Sequence, residues 1–312
     1  MISVVRLWVV TRWRPSRHFR PSDLRGVANF SLNLTVFNVF NFLFLNADKF
    51  LVGSYLGAAA LGVYGLGQQT LMYPVRSVTR NMTTVLFPTF ARIQDDNERI
   101  GRHYLSACGA VAALAFPAMA GIAIIADPLV RGFLNERWLD AIPIMMILAP
   151  VGMLHALHFT VGALYNAKGR ADILLKWGVG SGIFTVAAYI AGLPWGTTGV
   201  AATYAIAVVL MTYPAFAIPF RLIDLPFSRL IQTVLPYTVA TAVMSALVVA
   251  TRIGLEQASV GPKSVAAVCA LVGAVVYVGW MWRTRPPALT DLAKVVTKRR
   301  GSRPQVPVRQ PA

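Results

Sequence analysis

The sequence predicts an all-α integral membrane protein with about eight transmembrane helices and both termini in the cytoplasm. Three observations carry this prediction: the composition, the length of the apolar stretches, and the uneven distribution of basic residues. Hydrophobic residues make up 56% of the 312 positions and charged residues only 13%, whereas charged residues are about 25% of a soluble domain. This composition excludes the soluble classes, including nucleic-acid-binding proteins, despite a net charge of +17.

Eight stretches are long enough to cross the hydrocarbon core, which takes about 20 apolar residues per helix. They cover residues 27–47, 61–90, 104–125, 142–165, 173–193, 198–220, 231–251 and 264–282.

The basic residues are distributed unevenly between the two sides of the membrane, to which the connecting loops are assigned alternately. One side holds 22 of the 29 Lys and Arg residues, and the other loops hold five. Because basic residues accumulate on the cytoplasmic side, the even number of spans and the charge bias agree on the orientation.

Three regions follow from this pattern. Residues 1–25 form a basic cytoplasmic segment, which is either an interfacial helix on an anionic leaflet or a solvated linker. Residues 26–283 form the transmembrane bundle. Residues 284–312 form a basic, proline-rich cytoplasmic tail, which is too polar to bury a core and is predicted to be disordered.

Arg76 and Arg80 lie one helical turn apart inside the second apolar stretch. At 1.5 Å per residue they fall about 21 and 15 Å from the inner end of that stretch, near mid-membrane. An arginine at this depth costs about 2.5 to 3.5 kcal/mol on insertion scales, so the pair needs water, a counter-ion or a bound anion. The sequence therefore predicts an anion-binding cavity, with a helix that is kinked or broken near Pro74. The alternative is a membrane segment that ends at Pro74, with both arginines at an interfacial bend.

The first span adds amide side chains, among them Asn38 and Asn41, and ends at Asp48. Amides suit sugar hydroxyls, although asparagines also hold membrane helices together. Asp48, at the predicted outer end of its helix, fits three roles: it neutralises an arginine, carries a coupling ion, or is a solvated helix-end residue. We assign Arg76, Arg80, Asn38, Asn41 and Asp48 to a substrate-binding site.

No catalytic, cofactor or metal site is predicted. The loops are short, and the sequence lacks paired carboxylates, a nucleophile with a base, and a glycine-rich phosphate loop. His155 and His158 share a helix face at i and i+3, where they are either metal ligands or relay groups, or ordinary hydrogen-bonded histidines. Cys108 and Cys269 lie in separate spans and indicate neither a disulfide framework nor a metal knuckle.

Several short motifs, in order, resemble the second half of Wzx-type polysaccharide flippases, within the multidrug/oligosaccharidyl-lipid/polysaccharide exporter superfamily. They are Asp48 to Gly53, Gly57, Leu61 to Tyr64, Pro74, Phe87 with Pro88, Asp95 to Arg102, Pro117, Trp138, Gly169 with Arg170, and Gly196 to Ala201. One departure is Asn135, which stands where a glycine is expected before Trp138.

The resemblance implies a flippase that moves polyprenyl-diphosphate-linked oligosaccharides across the bacterial cytoplasmic (inner) membrane, in the biosynthesis of lipopolysaccharide or another polysaccharide. It implies the C-terminal lobe of a fourteen-helix protein, so we expect a truncated form without the first lobe. Partners would be the lipid-linked oligosaccharide, membrane lipids, and glycosyltransferases or a missing N-terminal lobe, but no nucleic acid. The alternatives are a drug or cation exporter of the same superfamily and a noncatalytic membrane subunit of a polysaccharide assembly complex.

Overall fold

The computed structural model describes residues 42–91, 93 and 96–284, without the side chains at 71, 77–89, 91 and 171. The predicted basic segment 1–25 and all but the first residue of segment 284–312 lie outside these residues, so both segments stay predictions. Among the described residues seven long α-helices follow one another: α1 (Ala47–Ala91), α2 (Asn97–Phe133), α3 (Ala141–Ala167), α4 (Ala171–Gly192), α5 (Gly196–Phe220), α6 (Phe227–Gln257) and α7 (Pro262–Thr284).

The all-α membrane fold is confirmed. Six stretches of the described residues are long and apolar enough to cross a membrane, and one of them, Asp172–Phe220, contains both α4 and α5. The first predicted span, residues 27–47, lies almost wholly outside the described part of the chain. Seven of the eight predicted spans therefore have a helix in the structure.

α1 is a helical hairpin, and its turn is a single residue. Gly57 has φ 89° and ψ 173°, a conformation that is essentially restricted to glycine. The helix of residues 47–56 ends there, and the helix of residues 58–91 returns beside it. A Cβ on Gly53 would lie 3.1 Å from Leu61 Cδ2, which shows how closely the two arms approach. A kinked or broken helix was predicted near Pro74. The helix is not broken there, because helical backbone continues from 58 to 91.

α2 is the central helix and packs against α3, α6 and α7. Its middle turns are buried and consist mainly of small side chains, including Ala107, Cys108, Gly109 and Ala110. Small residues allow helix backbones to approach closely where lipid removes the hydrophobic driving force. Polar contacts add to this packing, since the Tyr277 hydroxyl of α7 donates to the Ala113 carbonyl of α2 at 2.8 Å.

α4 and α5 form a second hairpin, which packs on α3 through α5. Gly196 has φ 71° at the turn, and a Cβ on Gly192 would lie 2.6 Å from the Gly199 carbonyl oxygen. No side chain fits between these two backbones. The glycines of the 192–199 segment therefore set the close approach of α4 and α5.

Side chains from loops predicted on the same side meet at each end of the bundle. At one end Lys168 Nζ donates to Asn97 Oδ1 at 2.6 Å, and Asn97 Nδ2 donates to Asp224 Oδ2 at 2.9 Å. These three residues come from the loops predicted to be cytoplasmic. At the other end Arg252 Nη2 donates to Asp127 Oδ2 at 3.2 Å. The grouping agrees with the topology obtained from the basic residues.

Candidate functional site: a buried acid and an outward-facing groove on α1

Asp48 lies inside the first hairpin rather than at a solvated helix end. Its side chain is 2% exposed, and Gln68 Nε2 donates a hydrogen bond to Asp48 Oδ2. These residues are 20 positions apart, about 30 Å along a straight helix, so the bond exists only because the chain reverses at Gly57. The predicted solvated role is wrong, because the returning arm of α1 covers the carboxylate.

A polar cluster surrounds this carboxylate. Its members come from four helices: Asp48, Tyr64 and Gln68 on α1, His155 on α3, Tyr189 on α4 and Tyr204 on α5. The Tyr64 hydroxyl lies beside Asp48, and both tyrosines of α4 and α5 lie within electrostatic range of it. Asp48 Oδ1 and the Tyr64 hydroxyl are buried, and neither makes a hydrogen bond of standard geometry among the described residues, although the hydroxyl is close enough to Asp48 to interact with it.

Burial of such groups costs free energy when they lack hydrogen bonds. A carboxylate oxygen with free lone pairs beside a phenol can accept a proton or a small cation. The polar cluster is therefore suited to binding a positively charged species inside the bundle.

The two histidines extend the polar cluster along α3. The Tyr204 hydroxyl and His155 Nε2 share a hydrogen bond of 2.7 Å, and the ring centroids of His155 and His158 lie 5.9 Å apart. His158 Nε2 is buried without a partner in the described part of the chain. No group of three or more metal-binding side chains occurs among the described residues. The hydrogen bond to Tyr204 agrees with the interpretation of His155 as a hydrogen-bonded histidine.

Arg76 lies on the exposed side of α1, near the middle of the bundle. The preceding residue, Val75, is fully buried, and its Cγ2 lies 3.7 Å from the Cβ position of Gly152 on α3. Gly152 is about 17 Å from the start of α3 and about 23 Å from its end, at 1.5 Å per residue. The backbone of α1 at Arg76 therefore lies at mid-height of the bundle.

The remaining predicted site residues are only partly covered by the structure. Position 80 belongs to α1, one turn beyond Arg76, but its side chain lies outside the description. Asn38 and Asn41 both lie outside the described residues. The structure does not bring Asp48 and Arg76 together, because Arg76 is eight residues, about 12 Å, beyond the Gln68 partner of Asp48. Asp48 therefore does not neutralise Arg76.

A groove runs along the outer part of α1 on the face that leads to Arg76. It encloses about 400 Å³ and is lined by Lys49, Leu61, Gly62, Gly65, Leu66, Gln69 and Trp138. We call this the α1 groove. Gly62, Gly65, Gln69, Tyr73 and Arg76 recur every three or four residues, which places them on one helix face.

The α1 groove and the partners of Asp48 were not predicted from the sequence. The face was readable from the spacing of Gln69 and Arg76, seven residues apart. The pairing of Asp48 with Gln68 could also have been predicted, because the two residues lie at nearly equal distances before and after the turn at Gly57. The contribution of Trp138 was not readable, because it comes from the connection between α2 and α3, about 70 positions away.

Comparisons with known proteins find similarity to proteins of polysaccharide biosynthesis. A protein-family profile described as polysaccharide biosynthesis protein matches residues 1–143. The teichuronic acid biosynthesis protein TuaB of Bacillus subtilis is 29% identical over 92% of this chain and 60% of its own length. The lipopolysaccharide biosynthesis protein WzxC of Escherichia coli is 29% identical over 67% of this chain and 43% of its own length.

The fold has a solved counterpart in the lipid II flippase MurJ in its inward closed conformation. The TM-score is 0.66 at 15% sequence identity, and the match covers 85% of this chain and 55% of MurJ. The chain thus spans about half the length of the curated relatives it matches, which fits one lobe of such a protein. The chain is therefore similar in sequence to polysaccharide biosynthesis proteins such as TuaB and WzxC, and its fold is similar to about half of MurJ.

Proposed function

We propose that this multi-pass membrane protein is the second lobe of a flippase for polyprenyl-diphosphate-linked oligosaccharides in the bacterial inner membrane. In this function the glycan changes sides of the membrane and no covalent bond is made or broken. The observation that carries the proposal is Arg76, a charged residue exposed at mid-height of a predominantly apolar bundle. The names of TuaB and WzxC, which refer to polysaccharide biosynthesis, support the choice of substrate.

Arg76 and Arg80 bind the diphosphate. A guanidinium offers a planar pair of N–H donors that matches phosphate oxygens, and such charge-assisted hydrogen bonds strengthen where water is scarce. A bound diphosphate also offsets the insertion cost of the two arginines. On the described part of this face, no acidic residue accompanies Gln69, Tyr73 and Arg76, which favours an anionic cargo.

The other assigned residues have separate roles. Asn38 and Asn41 contact sugar hydroxyls, for which amides supply both donors and acceptors. Asp48, with the polar cluster, takes up the ion that couples transport to a gradient. Its unpaired Oδ1 supports this role, as does its distance from the arginine face. A second wall for the substrate cavity comes from the first lobe, supplied by the same polypeptide or by another chain.

The test is an export assay in the native host, with Arg76→Ala, Arg80→Ala and the double variant introduced on the chromosome. We expect surface polysaccharide to fall at least about tenfold in the double variant, since about 1.4 kcal/mol of lost binding suffices for that factor. Lipid-linked oligosaccharide should accumulate in the inner leaflet. Arg76→Lys should retain part of the export, because lysine keeps the charge but not the paired donors.

Arg102→Ala is the matched control, because Arg102 is exposed and pairs with Glu98 within α2. Its export should equal that of the unmodified protein. Normal export in the Arg76→Ala, Arg80→Ala double variant would remove both arginines from the mechanism.

The alternatives give different results. A drug or cation exporter would protect cells from cationic compounds and leave surface polysaccharide unchanged when it is deleted. A noncatalytic subunit of an assembly complex would co-purify with a glycosyltransferase, and its deletion would stop synthesis of the lipid-linked glycan rather than its export.

A further inference from the structure

The α1 groove carries a combination of side chains that the transport proposal leaves unused. Lys49 supplies an ammonium, Gln69 an amide, and Trp138 an indole, around a floor formed partly by Gly62 and Gly65. A Cβ on Gly62 would lie 3.9 Å from Trp138 Cη2 and Cζ3, and a Cβ on Gly65 would meet nothing within 4 Å. The glycines therefore leave the groove open beside the indole.

The chemistry of these groups matches a sugar that carries a negative charge. Indole rings pack against the C–H faces of other molecules, primary amides pair with hydroxyls in both directions, and an ammonium binds phosphate or carboxylate oxygens. Arg137 lies 5.5 Å from the centre of the Trp138 ring and adds a second positive charge at this end. An apolar lipid tail would use none of these donors.

The volume and position also agree with a saccharide. About 400 Å³ falls at the small end of the range for ligand sites, enough for one or two sugar rings. Gln69 lies seven residues from Arg76 on the same helix face, about 10 Å along the axis. A sugar attached to a phosphate can bridge that distance while the phosphate stays near the arginine.

We propose that the α1 groove is a saccharide subsite for the first sugars of the lipid-linked glycan, on the outer side of the arginine pair. This inference rests on the proposed function, because it takes Arg76 and Arg80 to hold the diphosphate. Lys49 and Gln69 bind the anionic group and hydroxyls of the sugar, and Trp138 closes the outer end. α1 thereby presents two successive contact points to one substrate molecule.

The experiment uses the purified chain in nanodiscs of phosphatidylcholine and the probe glucose 1-phosphate. A cysteine is introduced by Gly65→Cys, where the structure leaves space, and is labelled with a membrane-impermeant maleimide. Cys108 and Cys269 are buried and unpaired, so their labelling should be slow. At twice its dissociation constant, the probe should slow labelling about threefold.

The matched control is Gly261→Cys, since a Cβ there also meets nothing within 4 Å. Its labelling should not respond to glucose 1-phosphate. Protection of the Gly65→Cys variant should be lost when Lys49→Gln or Trp138→Ala is added. Glucose alone and inorganic phosphate alone should each protect less than the sugar phosphate.

Two outcomes overturn the subsite. The first is labelling of the Gly65→Cys variant that ignores glucose 1-phosphate. The second is protection by phosphatidylglycerol in the nanodisc in place of the sugar phosphate, which assigns the groove to a lipid headgroup. Failure of the proposed function is separate, because it is indicated by polysaccharide export that does not depend on Arg76 and Arg80.

Discussion

At the scale of single residues, two adjacent glutamines of α1 have different environments. Gln68 donates to the buried Asp48 carboxylate, whereas Gln69 lines the α1 groove. Consecutive residues on a helix point about 100° apart, so one position serves the interior of the bundle and the next serves the open face. This pair allows the stability of the polar cluster to be separated from binding in the groove.

We predict that Gln68→Ala destabilises the protein and that Gln69→Ala does not. Removing the Gln68 amide leaves Asp48 Oδ2 without its donor, and an unsatisfied buried group costs about 1 to 3 kcal/mol. Thermal unfolding of the two variants in the same detergent measures the difference. Equal melting temperatures would mean that the Asp48–Gln68 bond contributes nothing to folding.

At the scale of elements, the two helical hairpins depend on glycines whose backbone no other residue reproduces without strain. Gly57 in α1 and Gly196 at the start of α5 both have positive φ. Both lie in short motifs that the sequence analysis singled out, so the hairpins were partly predictable. Their geometry was not, because an apolar run predicts a helix but not the exact residue at which it reverses.

Gly57→Ala should lower stability by about 1 to 3 kcal/mol, the usual cost of a non-glycine residue in a sparsely populated backbone region. It should also reduce export, because the arms of α1 hold both Asp48 and the α1 groove. Gly254→Ala is the control: Gly254 lies in α6 with open space around its Cβ position, and alanine there should stabilise the helix by about 0.5 to 1 kcal/mol.

The two changes are compared by thermal unfolding and by surface polysaccharide in the same strain. If the Gly57→Ala protein unfolds at the same temperature as the unmodified protein, a side chain at the hairpin turn of α1 causes no backbone strain, and the prediction is wrong.

At the scale of the whole molecule, an ion cluster ties α2 to α6 at the predicted outer end. Arg252 Nη1 donates to the Ile124 carbonyl at 2.8 Å, and Arg252 Nη2 contacts Asp127. Arg131 also contacts Asp127, at 2.7 Å, while Glu256 accepts from Arg252 Nε at 2.6 Å. Because these charges are partly shielded from water and share partners, they contribute more than an isolated surface pair.

Arg252→Gln should therefore lower stability by about 1 to 3 kcal/mol, since it leaves the Ile124 carbonyl and Asp127 with fewer donors. Arg102→Gln removes an exposed pair within one helix and should change stability by less than about 0.5 kcal/mol. Unfolding temperatures of both variants, measured at low and high salt, give the two stability losses that are compared. A loss of the same small size in both would show that the outer cluster is no stronger than the α2 pair.

The overall architecture was predictable from sequence because a membrane fixes the length and apolarity of each helix. The position of Arg76 near mid-height agrees with the depth deduced from its distance to the helix ends. The site was less predictable, since Asp48 acquires its neighbours from four helices and the α1 groove acquires Trp138 from a distant loop. Such contacts depend on how helices pack, which apolar periodicity does not specify.

The absence of any connecting loop at Gly57 couples chain length to the orientation of the returning arm. One residue inserted beside Gly57 would rotate positions 58–91 by about 100° relative to the first arm. Gln68 would leave Asp48, and the line from Gly62 to Arg76 would turn away from Lys49 and Trp138. Homologous proteins that preserve this mechanism must therefore keep the interval between Asp48 and Arg76 constant, even where their other connections vary in length.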